Sequence, residues 1–258
     1  MRFVVADEDT EKTPDEQLAF CASHGLPYIG LFRSHFTGED GLPRGDEDVA
    51  AMLLDTGVRC ATLGWAGGFT GIDCNAFGDR KTGTPPPQCS FRYAVEDAAG
   101  ALRTAAILGA KQLLLRCGPP GTHIRRHAVR LFFEAVKELL PVAEDMEVIL
   151  ALGELGPLDL FPERAFPWFS IMNSWVGLVI DLEYWGNPES LPFLDRHIGR
   201  LARHTTLIRT GRLTVRETWP LLDRFAKAGY HGDIQIPPEF SLELVTGSGQ
   251  KAPRSTVL

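Results

Sequence analysis

Charged side chains recur where short apolar runs stop. GLVIDLEYW (177–185) closes an apolar run on Asp181, with Glu183, Tyr184 and Trp185 directly after it. GLFR, LLLR and TLIR end on Arg33, Arg116 and Arg209, and LGELG carries Glu154. A buried strand has no use for an ionised carboxylate unless something at its end pairs with it or binds through it. Arginine stays charged and grips carboxylates or phosphates through a planar fork. Together these residues suit one kind of chemistry. Arg116 and Arg209, with Arg33, would hold an anionic or polyoxygenated small molecule, while Asp181 or Glu154 moves a proton. The same residues would also serve as buried ion-pair braces, with the arginines matched to Asp181, Glu154 and Asp7. A brace can release its arginine to a ligand, so the two roles are compatible.

Other candidates follow the same logic. His123, after GPPGT, is a general acid/base candidate, because an unperturbed imidazole titrates near neutral pH; its plainer role is a solvated histidine at a helix end. His35 in RSHFTGED stands equally. Cys117 follows Arg116, whose charge would lower a thiol pKa, although a buried cysteine is inert. Trp65, Tyr184 and Trp185 offer aromatic faces to a sugar ring or pack at a rim. Asp7, Arg212, Gln235 and Glu239 are further polar residues at or just past the ends of β-rich runs.

These groups act together only if the runs that carry them end at one place. β-rich segments at 2–6, 28–32, 59–65, 112–117, 147–153, 177–182, 205–210 and 232–236 alternate with helical patterns at 13–25, 46–57, 94–109, 123–146, 189–204 and 214–229. Pro141 should end or kink the fourth helix, and 161–173 reads as a broken helix. Strict βα alternation implies parallel strands with helices outside. Eight units in 258 residues is the size of a closed (β/α)8 barrel, an α/β TIM barrel of one domain over 1–240. An open doubly wound sheet would usually carry a GxGxxG turn after its first strand, where this chain has ADEDTEK. Strand-end side chains of a barrel point to its mouth, where such enzymes keep their chemistry.

Two segments break the rhythm. Residues 66–93 form a long Gly/Pro-rich connection after the third strand, read as a lid over the mouth or as a disordered insertion. Residues 241–258 read as a mobile tail too short for a full eighth helix, which would leave the outer wall incomplete for a homodimer or partner subunit to cover. A net charge of −7 argues against binding nucleic acid. Five scattered cysteines without a CxxC pair fit reduced thiols and a cytoplasmic location. MRFVVAD reads as a strand rather than a signal peptide, and no apolar segment nears the ~20 residues a membrane span needs.

Three stretches carry a resemblance. ALRTAAILGAKQLLLRCGPPG (101–121), VILALGELGPL (148–158) and WPLLDRFAKAGYHGDIQIPPE (219–239) resemble the xylose-isomerase-like TIM barrels, which include sugar isomerases, epimerases and abasic-site endonucleases. The likeness spans about residues 26–239. It implies a divalent metal (Mn, Mg, Zn or Co) held by a Glu, an Asp, a His and a Glu at the ends of strands five to eight. Asp181 fills the second position. Gly153 stands at the first, with Glu154 one residue late; Arg209 stands near the third; Pro237 stands at the fourth, with Glu239 two residues on. A retained metal would rest on Asp181 and Glu154. A fixed cation beside a metal is electrostatically opposed, so the expectation is a metal site lost or rebuilt. Three functions remain open: a sugar isomerase or epimerase acting by proton transfer on a small polyhydroxy or anionic carbonyl compound; a metal-independent lyase, dehydratase or cyclase; and a non-catalytic barrel subunit or binding protein.

Overall fold

The structure, a computed structural model, describes residues 1–7, 12–38, 41–65, 91–116, 125–153 and 171–246. Eight parallel strands close in chain order into one barrel. They are β1 (Arg2–Ala6), β2 (Tyr28–Phe32), β3 (Arg59–Trp65), β4 (Gln112–Arg116), β5 (Ile149–Gly153), β6 (Val176–Asp181), β7 (Thr205–Arg209) and β8 (Asp233–Ile236), and β8 pairs with β1 to complete the ring. Outside lie α1 (Pro14–Ser23), α2 (Asp46–Thr56), α3 (Phe91–Ile107), α4 (Arg125–Met146), the single-turn α5 (Leu182–Trp185), α6 (Leu191–His204), α7 (Val215–Lys227) and α8 (Pro238–Thr246).

Local sequence accounts for the boundaries. Thr13 and Thr214 accept the backbone N–H of Glu16 and Glu217, whose carboxylates return to the capping threonines. These capping boxes start α1 and α7. The fourth helix does not end at Pro141, since α4 runs through it to Met146. An interior proline costs about 3 kcal/mol. Phe132, Val136 and Leu139 on the same helix are all buried, at about 2 kcal/mol each, which outweighs that cost. Helix α3 starts at Phe91, three residues earlier than its pattern suggests. Helix α8 crosses the expected boundary at 240, because Phe240 and Ser241 are buried and hold residues read as tail in a helix. The remainder of the 66–93 connection, up to residue 90, the broken helix read at 161–173 up to residue 170, and the tail from 247 lie outside the described residues.

Alternate side chains divide into two cores. Ala6, Phe32, Leu114, Ala151, Val179 and Leu207 form a small cluster inside the barrel. Their strand neighbours, among them Val5, Leu31, Leu113, Leu150, Leu178 and Ile208, belong to the larger core under the helices. The interior needs missing side chains as much as large ones. A Cβ on Gly64 would lie 2.2 Å from the Phe32 ring, so Gly64 makes the room that Phe32 fills. At the amino ends of the strands, Arg2 donates from Nε and Nη2 to the two oxygens of Asp233, both at 2.6 Å, and Gln112 Nε2 adds a third donor at 3.0 Å. Among the described residues no helix is long and apolar enough to cross a membrane.

Candidate active site at the carboxyl end of the barrel

Strand register brings three of the expected groups to one opening. Asp181 pairs with Arg209 across β6 and β7, and Arg209 pairs with Gln235 across β7 and β8. Arg116 pairs with Gly153 across β4 and β5. Each lies two residues past an interior residue (Leu114, Val179, Leu207), so the period of two aims Arg116, Asp181 and Arg209 along the barrel axis toward the mouth. Together with Asp7, Glu183 and Arg212 they line a cavity of about 680 Å³. That volume is within the range of small-molecule sites.

The cavity is built around an acid–arginine pair. Arg209 Nη1 lies 3.5 Å from Asp181 Oδ2. Arg209 is only 8% exposed, and burial pulls its guanidinium down to about 10, which leaves it cationic at neutral pH. Asp181 also caps α5, since its Oδ1 accepts the backbone N–H of Glu183 at 3.1 Å. The Arg116 guanidinium stands 5.4 Å from the centroid of Phe32, the ring that plugs the barrel, so a cation–π contact sets it at the cavity floor. Past β7, Gly211 takes φ +59, a left-handed conformation, and a Cβ there would lie 2.4 Å from Glu183 Oε2. Glycine thus lets Glu183 come close and accept the Arg212 N–H at 3.1 Å. Asp7 forms an ion pair with Lys12.

The other sequence candidates go elsewhere. Arg33 and Trp65 do not enter this cavity. Arg33 Nη1 donates to Asp97 Oδ1 at 3.3 Å and Trp65 Nε1 to Asp97 Oδ2 at 2.7 Å, which ties β2 and β3 to α3. Trp65 follows the inward-facing Gly64, and alternation turns it outward into the helix-side core. Tyr184 sits 48% exposed on α5 and is not among the residues lining the cavity. Glu239 lines a separate cavity of about 280 Å³ with Gln17 and Phe20 of α1. His35 is buried against Gln17, whose Nε2 lies 3.2 Å from its Nδ1. Glu154, His123 and Cys117 lie outside the described residues. Sequence reasoning missed Asp97, which reads as an ordinary acid in an amphipathic helix. It also missed Lys12 as the partner of Asp7, five residues along the chain.

The described side chains do not fit a divalent cation. Among them no three His, Cys, Asp or Glu residues gather as a ligand set. The carboxylate that would lead such a set, Asp181, faces the guanidinium of Arg209, and Arg116 lines the same cavity. A hard cation needs several convergent oxygen or imidazole donors, and two arginines oppose it.

No protein-family model matches the chain, and no curated protein matches it. Solved structures do. The apo form of 3-keto-D-glucoside 4-epimerase, YcjR, from E. coli superposes with a TM-score of 0.67 at 12% identity, covering 96% of this chain and 98% of that one. A D-tagatose 3-epimerase-like protein gives 0.67 at 13% identity over 96% and 98%. The IOLI protein with a bound zinc atom gives 0.63 at 16% identity over 97% and 100%. The chain shares its closed (β/α)8 barrel fold with these proteins.

Proposed function

We propose that the protein is a sugar isomerase- or epimerase-like enzyme that moves a proton next to the carbonyl of a small polyhydroxy compound at the barrel mouth. Asp181 takes the proton from the carbon beside the carbonyl. The C–H electron pair becomes the enediolate double bond, and the carbonyl electrons move onto oxygen. Arg209 and Arg116 stabilise that oxyanion, since fixed cations aimed at developing charge lower the barrel mouth's transition-state energy. The proton on Asp181 exchanges with solvent; its delivery to the neighbouring carbon completes isomerisation, and delivery of a solvent proton to the opposite face completes epimerisation. The observation that carries the reading is the Asp181–Arg209 pair opening onto a cavity of about 680 Å³. The epimerases of the same fold support it.

The test is solvent deuterium entry into ketoses and keto sugars, followed by NMR. The purified protein should label a carbon next to the carbonyl. Asp181→Asn should slow labelling by about 100-fold or more, the usual worth of a positioned base. Absence of label across the panel, or an Asp181→Asn variant as fast as the parent, rules the reading out. Loss of water from the labelled product would instead mark a dehydratase.

A further inference from the structure

The charge inventory of the mouth differs from that of the whole chain. The protein carries a net −7. The mouth cavity is lined by three arginines, Arg116, Arg209 and Arg212, and three carboxylates, Asp7, Asp181 and Glu183. Among the described residues that line the cavity the charges therefore balance, in a chain that is acidic overall.

The distribution matters as much as the sum. Each carboxylate is engaged inside the protein: Asp7 by Lys12, Asp181 by Arg209 and the Glu183 N–H, and Glu183 by the Arg212 N–H. Arg212 uses its backbone in that contact and is itself exposed at the rim. Arg116 and Arg209 stand at the strand ends, and Arg212 stands at the rim. Arg116 rests on the Phe32 plug, Arg209 is buried at the end of β7, and Arg212 reaches the rim three residues later. A substrate that spans the cavity meets a cation at both places.

We propose that this site selects substrates bearing an oxyanion group, a carboxylate or phosphate attached to the polyhydroxy carbonyl chain, and that Arg212 is the residue that recognises it. The inference rests on the mouth being the reacting site, as proposed above. The strand-end arginines serve the reacting oxygens, and Arg212 holds the anionic end near solvent, where a planar fork fits either anion. An acidic protein would otherwise repel such a substrate; the three arginines of the mouth counter that repulsion.

Calorimetric titration with D-glucose, D-glucuronate and D-glucose 6-phosphate tests the proposal. At least one of the two anions should bind about tenfold or more tightly than glucose, and added salt should shrink that advantage. Which anion wins tells carboxylate from phosphate. Arg212→Ala should narrow the ratio of anion to glucose affinity, with its melting temperature recording that the fold is kept. Equal affinity for all three compounds, no binding of any, or an Arg212→Ala variant with an unchanged ratio overturns it. The deuterium assay fails separately. Label in neutral sugars without anion preference would sink this inference alone, and anion binding without label would sink only the proton-transfer reading.

Discussion

The two ends of the barrel each hold an aspartate against an arginine, and they do so differently. At the amino ends of the strands, Arg2 and Asp233 form a two-pronged pair at 2.6 Å, and Gln112 donates to the same carboxylate. Tyr28 is flanked by the guanidinium groups of Arg2 and Arg59, each 4.6 Å from its ring centroid. The Asp233 bond raises the pKa of Arg2 further. At the carboxyl ends, Arg209 and Asp181 stand 3.5 Å apart beside an open cavity. Short, forked and internally satisfied geometry makes a brace. A longer contact beside a cavity is the weaker one, and both partners line the space a ligand would enter. One pair of residue types thus supports stability at the closed end and reactivity at the open one.

Exchanging the two aspartates for asparagine breaks or sharpens this contrast most strongly. Asp181→Asn should slow proton exchange by about 100-fold or more, an effect on activity larger than its effect on the urea midpoint. Asp233→Asn should instead cost about 2 kcal/mol of unfolding free energy, a figure discounted because Arg2 is partly solvated. Deuterium labelling and urea unfolding on both variants check it, and equal losses in both assays would erase the distinction between the ends. Gly211→Ala comes next. Its φ of +59 and the 2.4 Å approach of Glu183 predict a cost of about 1–2 kcal/mol, together with weaker binding of the anionic probes as Arg212 shifts. The smallest effect concerns His204, at the amino end of β7. Burial, then Arg200 and Arg203, lowers its pKa below the ordinary histidine range. The unfolded chain therefore takes up the proton first, and stability is lost as pH falls through the ordinary histidine range. His204→Gln should flatten that part of a urea-midpoint profile against pH.

Much of this was legible in the residues. Alternating β-rich and amphipathic segments implied the barrel, and β2 and β3 begin and end where their patterns do. Arg116, Asp181 and Arg209 were marked as mouth residues because a charge ending an apolar strand has few other uses. Trp65 turns into the helix-side core, and the sequence hides this for an equally physical reason. RCATLGW is buried on both faces after its first residue, so no polar alternation reports which side chains face inward. Arg33 was drawn away by Asp97, a residue 64 positions along whose approach no local pattern records.

The sequence by itself determined the order of strands and helices and the charges placed at strand ends, because periodicity and capping act over a few neighbouring residues. Tertiary structure alone decided which of those charges meet. Asp181 faces Arg209, and Arg33 does not reach either, because register between strands and packing of α3 on the sheet are settled by contacts between residues far apart in the chain.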